Sequence, residues 1–246
     1  KNIEDIFNIK KNLIKENNIN LKKSLKINNE FKKLKKRKKC IICGYKLESE
    51  DFISHKVSYV ICKKCNHLNG KHVIDKKFNE KLYSSKKGKN YSYLYTKLFL
   101  KRLQKIYIPK VKFIKSSIRE KIKVLDFGCG AGHFVKACED NGIVATGIDP
   151  NKELIKTGNK YLKKNKIKLL NFKKSIEEIK STNSNLISLI FVLEHLENPN
   201  EIFAAFKKSQ AKYLFVAVPL FSFSVFIENA FPKVYPRQLG GAHTNL

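Results

Sequence analysis

Val124-Leu125-Asp126-Phe127-Gly128-Cys129-Gly130-Ala131-Gly132-His133-Phe134 is the stretch on which the fold turns. A short apolar run that breaks into alternating glycines and then resumes at helical spacing predicts a strand, a tight loop and a helix packed back on the strand. Gly128, Gly130 and Gly132 remove side chains that would keep a ligand from the backbone, so a bulky cofactor can rest on the loop. Asp126 stands beside it as a polar anchor. A lone Gly-x-Gly-x-Gly string also occurs in α/β turns that bind nothing, so its meaning depends on the residues downstream of it.

A helix is predicted from about His133 to Asn141, and Ile143 to Ile148 reads as a second apolar strand ending in Asp149 and Pro150. Asp149 falls roughly 20 residues beyond the glycines, where a carboxylate can accept hydrogen bonds from both hydroxyls of a ribose. Its alternative role is to cap a short helix from Asn151 to Thr157, which Gly158 would end. Lys168 to Phe172 reads as a weaker third strand. Leu186 to Leu193 forms a fourth, running into Glu194-His195-Leu196-Glu197-Asn198-Pro199, and Tyr213 to Val218 a fifth, closed by Pro219.

The glycine stretch resembles motif I of the class I S-adenosylmethionine (SAM) methyltransferases. Leu193 to Pro199 resembles the Leu-Glu-His-Leu-x-x-Pro signature after the fourth strand of many small-molecule members. The resemblance implies an α/β, Rossmann-like class I methyltransferase sheet, truncated at its C-terminal end because few residues follow Pro219. It implies SAM held by Asp126, Gly128, Gly130, Gly132 and Asp149, with Ser175 and Ile176 against the adenine ring. His195 becomes the candidate base at the carboxyl edge of the sheet, with Glu194 orienting its ring, contacting a substrate hydroxyl or serving as the base itself. His243 and Thr244 are similar to a segment that faces substrate in relatives. Asn185 and Leu186 depart from the pattern, which commonly opens the fourth strand with an acid.

Cys40-x-x-Cys43-Gly44 and Cys62-x-x-Cys65-Asn66 form two pairs whose spacing suits a tetrahedral Zn²⁺ held by two tight turns, with Gly44 and Asn66 supplying permissive backbone. Two disulfides or two redox pairs are the rivals, disfavoured by a Lys-rich chain of a reducing, cytoplasmic setting. Four thiolates close the shell, so the metal is structural and His67 is left to packing or the surface. Cys129 and Cys138 have no visible activating partner.

At 246 residues the chain suits one α/β domain with a small module. The expected division is a basic helical or partly disordered lead-in over 1–39, a zinc ribbon over 40–71, a linker and covering helix over 72–120 and the methyltransferase domain over 121–246. In the first segment Ile3, Ile6, Phe7, Leu13, Ile14, Leu21 and Leu25 recur loosely at helical spacing. In the third, Leu98, Leu100, Leu103 and Ile106 predict a helix packed beside the sheet; the resemblance implies that this helix covers the SAM site, where Tyr91 or Tyr93 would approach the cofactor, with core packing the alternative for each. The formal net charge of +30 is nearly all Lys, with Arg only at 37, 102, 119 and 237. Base and phosphate recognition favours the Arg fork, so the lysines read as a solvated surface and nucleic acid as the less favoured partner. The apolar run from Tyr213 to Ile227 is too short and interrupted for a membrane span. With no Met anywhere, the chain reads as a fragment.

A four-cysteine ribbon joined to this sheet resembles the sugar methyltransferases, which implies a small-molecule acceptor, a sugar or nucleotide-sugar of polysaccharide or secondary-metabolite synthesis. The alternatives are an rRNA or tRNA methyltransferase using the zinc module, and a non-enzymatic zinc-ribbon binding module with a vestigial SAM fold.

Overall fold

The structure, a computed structural model, describes residues 13–75, 77–78, 82, 98–163, 166–219, 223–235 and 239–240. The chain divides into two compact units, Asn79–Val218 and Lys1–Phe78 with Pro219–Leu246. The helical run before the sheet groups with the sheet, and the stretch after Pro219 groups with the ribbon.

The second grouping has a physical cause. Strands β1 (Phe52–Ser54), β2 (Val57–Ile61) and β3 (Leu68–Gly70) form an antiparallel sheet too small to cover its own apolar face. Helix α1 (Leu13–Phe31) covers it, with Asn28 Nδ2 donating to His55 O at 2.8 Å. The returning C-terminal segment is bonded at three points. Tyr59, fully buried, lies 2.6 Å from the Gly240 N–H, His55 Nε2 donates to Val234 O, and Tyr235 N donates to Asn17 Oδ1.

In the other unit, β4 (Lys123–Phe127), β5 (Val144–Asp149), β6 (Ile167–Leu169), β7 (Leu186–Ile190) and β8 (Tyr213–Ala217) form one sheet in the order β6-β5-β4-β7-β8, every neighbouring pair parallel. The chain builds outward from β4 in one direction and then restarts with β7 on its other side. The crevice at the carboxyl ends of β4 and β7 is therefore the point where the winding reverses, the place where open α/β sheets bind ligands. Alternate residues serve two cores. Val124, Ala145, Leu186 and Ile190 pack with Val111, Ile114 and Phe134, while Leu125, Phe127, Ile148, Ile187 and Leu189 pack with Ile176, Ile179, Ile202 and Ala205.

Several local expectations shift. The third strand ends at Leu169, and Phe172 opens a helix, Phe172–Ser181, because the Asn171 side chain accepts from Lys174 N and caps it. The cap of helix Lys152–Gly158 is Asn151, which accepts from Glu153 N and Leu154 N, so Asp149 is left for other work. Asn185, where an acid was expected, accepts from Lys123 N and donates to Lys121 O, buckling the entries of β7 and β4 together.

The covering helix is a continuous run of Phe99–Arg102, Leu103–Tyr107 and Ile108–Ser117, the middle stretch wound as a π-helix. Pro109 cannot donate to the preceding turn, and its ring opens the ladder there. The buried stripe is Phe99, Leu103, Tyr107, Val111 and Ile114, whereas Leu98 and Leu100 face outward. Tyr91, Tyr93, Tyr95, His243, Thr244, Ile3, Ile6 and Phe7 lie outside the described residues. Among the described residues no helix is long and apolar enough to cross a membrane.

Gly158 is required by contact more than by conformation, since a Cβ there would stand 2.4 Å from the Ala131 carbonyl oxygen. Gly158→Ala is expected to lower stability by about 1–3 kcal/mol despite the better helix propensity of alanine. A thermal melt at or above that of the parent would show that the helix and the glycine loop need not approach so closely.

Candidate active site

The loop after β4 turns left-handed at three glycines, Gly128 (φ +70), Gly130 (φ +55) and Gly132 (φ +72). Two of them serve packing. A Cβ at Gly128 would lie 2.6 Å from Val192 Cγ2, and one at Gly132 2.5 Å from Leu162 Cδ1. The missing side chains thus admit neighbouring residues as well as keeping the backbone open. The N–H groups of Gly128 and Cys129 both donate to Ile148 O, and that of Gly130 donates to Asp149 Oδ2 at 2.8 Å. Asn151 N donates to Asp149 Oδ1, also at 2.8 Å.

Asp149 is 8% exposed; burial raises its carboxyl, and the two N–H donors pull it back. Each oxygen takes one backbone N–H and keeps an acceptor site, which is what two ribose hydroxyls require. The donor set and the glycine backbone fit the adenosine part of SAM. Asp126 lies one strand inward, accepting from Ser188 Oγ at 2.7 Å and tying β4 to β7; burial pushes it up to about 7. Ser175 and Ile176 are both buried on helix Phe172–Ser181, Ile176 within the core beside Phe127 and Ile148.

Past β7 the chain makes a short 3₁₀ turn, Leu193–His195. Glu194 is 2% exposed, and among the described residues neither carboxylate oxygen has a hydrogen-bond partner. Burial pushes it up to about 7. Among the described residues it makes no hydrogen bond to the ring of His195, which stands next to it, half-buried, its backbone N–H donating to Val192 O.

Phe99 was not singled out by the sequence. It packs on Ala131 of the loop and on Leu154, and it stacks on His133 at 4.1 Å and Tyr161 at 4.0 Å, with Tyr107 stacked on His133 at 5.1 Å. Four aromatic rings thus stack in a row beside the loop, with Phe99 packed on it, and the apolar stripe of the covering helix hinted at Phe99 alone. Cys129 and Cys138 are buried, and burial drives both thiols up, leaving them as fillers.

In the ribbon, the sulfurs of Cys40, Cys43, Cys62 and Cys65 all lie within 4.8 Å of one another. Cys40 Sγ is 3.7 Å from Cys65 Sγ and Cys43 Sγ is 3.5 Å from Cys62 Sγ. A tetrahedron of Zn–S bonds of about 2.3 Å has edges of about 3.8 Å, so the cluster fits Zn²⁺. The two knuckles repeat one pattern. Gly44 N donates to Cys40 O and Cys40 N to Tyr45 O, just as Asn66 N donates to Cys62 O and Cys62 N to His67 O. Gly44 (φ +71) and Asn66 (φ +57) take the left-handed positions anticipated for them. Buried Asn69 clamps the knuckles, accepting from Ile41 N and donating to His67 O. Burial raises the Cys62 thiol, but N–H groups of Cys65 and Lys64 outweigh it, and the thiol settles at about 7. His67 stays outside the cluster, lowered to about 4 by burial and by Arg37.

A parallel sheet whose central strand feeds a glycine loop and whose neighbour ends in an acid holding that loop defines an α/β protein of Rossmann-like type, a geometry that dinucleotide-binding and SAM-binding folds share. The family model for the methyltransferase domain matches residues 99–236, more than half of the chain, and the chain belongs to that family. Among curated proteins it is similar to a ubiquinone biosynthesis O-methyltransferase of Rickettsia canadensis (strain McKiel), 34% identical over 79 residues, which cover 32% of this chain and 34% of that protein. A protein of the same name from Rickettsia conorii (strain Malish 7) is 27% identical over 175 residues, covering 68% and 60%. The chain thus spans about a third of the length of the first of these relatives and less than two thirds of the second. Similar solved structures include a SAM dependent methyltransferase from Archaeoglobus fulgidus (22% identity, TM-score 0.41, 52% of this chain and 59% of that one) and DesVI of Streptomyces venezuelae (14%, 0.38, 60% and 59%).

Two outcomes are expected from these geometries. Native mass spectrometry of the zinc-loaded chain should show one ion, lost in Cys62→Ser together with part of the ribbon's thermal stability; retention of the ion would remove Cys62 from the ligand set. Asp126 keeps a proton in the fold that the unfolded chain releases near pH 4. Its contribution to stability is full below that pH and is lost as pH rises through about 7. Urea midpoints measured from pH 4 to 8 should fall more steeply for the parent than for Asp126→Asn, and parallel curves would refute the assignment.

Proposed function

We propose that this chain is a SAM-dependent methyltransferase acting on a small molecule, a sugar or nucleotide-sugar, with Zn²⁺ as a structural ion in the ribbon. The observation that carries the reading is the pairing, at the carboxyl edge of one sheet, of Asp149, held by two backbone N–H groups with an acceptor site left on each oxygen, and Glu194, buried and bonded by no other residue among those described. The family match supports methyl transfer, and the relatives named for ubiquinone biosynthesis support a small-molecule acceptor. The sugar reading rests on the combination of a four-cysteine ribbon with this sheet, and the cytoplasm is the setting we assign because the cluster needs reduced thiols.

When bound, SAM supplies an electrophilic sulfonium methyl. Asp149 and the backbone of Gly128, Gly130 and Gly132 would hold its adenosine portion, with Asp126 beneath the loop and Ser175 and Ile176 on the adenine side. The acceptor's hydroxyl must lose a proton as its oxygen gains the methyl. Glu194 suits that task, because a carboxyl held near 7 is partly ionised at neutral pH and is a stronger base than an exposed one. His195, next along the same turn, is the second candidate base. The burial of Glu194 excludes water, which keeps the pairing between carboxylate and acceptor strong.

The test offers radiolabelled SAM and the chain a pool of nucleotide-sugars in one tube and unmodified ribosomal RNA in another. Label is expected in the small-molecule fraction, with kcat/KM rising about tenfold per pH unit below about 7 and levelling above it. Glu194→Gln should lose about 10²- to 10⁴-fold in rate together with that limb, while His195→Ala reports on the second base. Label in RNA would move the substrate to nucleic acid, and a folded chain that fails to bind SAM would leave only a zinc-ribbon binding module.

A further inference from the structure

Phe191 follows directly on β7 with φ +57, a left-handed backbone that a bulky L-residue adopts only at a cost of about 1–3 kcal/mol. Among the described residues the other left-handed ones that are not glycine, His55, Lys56 and Asn66, lie in tight turns of the ribbon. Phe191 sits instead at the mouth of the crevice. Its backbone has a clear task. By strand alternation Ile190 and Val192 would lie on opposite faces from Phe191 and on the same face as each other. Yet Ile190 packs in one core and Val192 in the other. The left-handed turn between them swings Val192 across the sheet and into the space that Gly128 leaves.

That task asks for positive φ and nothing more, and glycine would perform it without strain. The benzyl side chain does not compensate by burial, since Phe191 is 43% exposed. What engages it is the Lys110 ammonium, 5.4 Å from the ring centroid and 5.9 Å from that of Tyr107 on the same helical run. An aromatic ring kept against conformational cost and left open to solvent beside the crevice has a use that packing does not explain. Three residues further on, Glu194 presents two buried oxygens without partners.

We infer that Phe191 is a positioning residue for the acceptor: its exposed ring is the wall on which an apolar face of a hydroxyl-bearing ring lies, leaving that hydroxyl to Glu194. The inference rests on the methyltransferase reading and adds the acceptor's class, a hydroxylated ring such as a pyranose or a phenol. It also separates two functions within one turn, apolar placement at Phe191 and proton acceptance at Glu194.

The chain contains no Trp, so Phe191→Trp installs a single fluorescent reporter. Phe113→Trp, on the helical run at a position 62% exposed and packed against Phe215, is the control. Calorimetry with S-adenosylhomocysteine on the parent chain tests the cofactor reading by itself. With that ligand saturating, uridine diphosphate glucose and phenol are titrated separately. One of them is expected to change the emission at 191 saturably and to leave that at 113 unmoved, and which one does so distinguishes pyranose from arene. Phe191→Gly should melt no lower than the parent, because the strain is relieved, and bind S-adenosylhomocysteine within about twofold, yet weaken the effective probe about tenfold or more. Phe191→Tyr should restore that affinity. Equal probe affinity in Phe191→Gly, a silent reporter during binding seen by calorimetry, or binding of neither probe to the loaded protein would each overturn the inference.

Discussion

The Asp149 carboxylate, gripped by the N–H groups of Gly130 and Asn151, is the interaction on which the site depends. It ends β5, stops the chain from running on as strand, and holds the left-handed glycine loop that leaves β4. A carboxylate this deeply buried would be costly without donors, and the two backbone groups supply them. Once the loop is held, Ala131 lies under Phe99, the helix from His133 begins, and Gly128 faces the gap that Val192 fills. The carboxyl edge of the sheet is thus shaped by backbone hydrogen bonds before any ligand arrives, which is what preorganisation requires.

Three acids near this edge have different fates because their partners differ. Asp126 accepts from Ser188 and fastens β4 to β7, Asp149 accepts from backbone and fastens the loop, and Glu194 accepts from no other residue among those described. Buried carboxyls that are satisfied act as structure; one that is buried and unsatisfied is held at a cost, which it lessens by keeping its proton up to about 7. Strain and desolvation coincide within the four residues from Phe191 to Glu194. Conformational and electrostatic cost is gathered there while the rest of the sheet is conventionally packed.

The ribbon obeys a different logic. Its two knuckles use the same hydrogen bonds around the same spacing, so the cysteine cluster is assembled by local geometry. Its apolar face, however, is closed by helix α1 from one side of the chain and by the segment ending at Gly240 from the other. A chain that leaves this unit, builds the parallel sheet and returns makes the ribbon's completion depend on contacts far apart in sequence, a slower event than closing either knuckle.

Much of this was legible in residue order. The β4 stretch, the glycines, Asp149 and the two Cys-x-x-Cys pairs are local patterns, in which apolar runs, left-handed turns and ligand spacing are set within a few residues, and each lies where its pattern placed it. What stayed hidden was long-range. That Gly128 and Gly132 yield to Val192 and Leu162, that Glu194 is stranded rather than paired with His195, that Phe191 turns left-handed, and that the C-terminal stretch joins the ribbon all depend on which surfaces meet. Sequence by itself determined the elements and the chemistry available at their ends, because those come from backbone preference and side-chain type. Tertiary structure alone decided burial and partnership, because whether a carboxyl is satisfied or a ring is exposed is a property of its neighbours, and those neighbours come from other strands and helices.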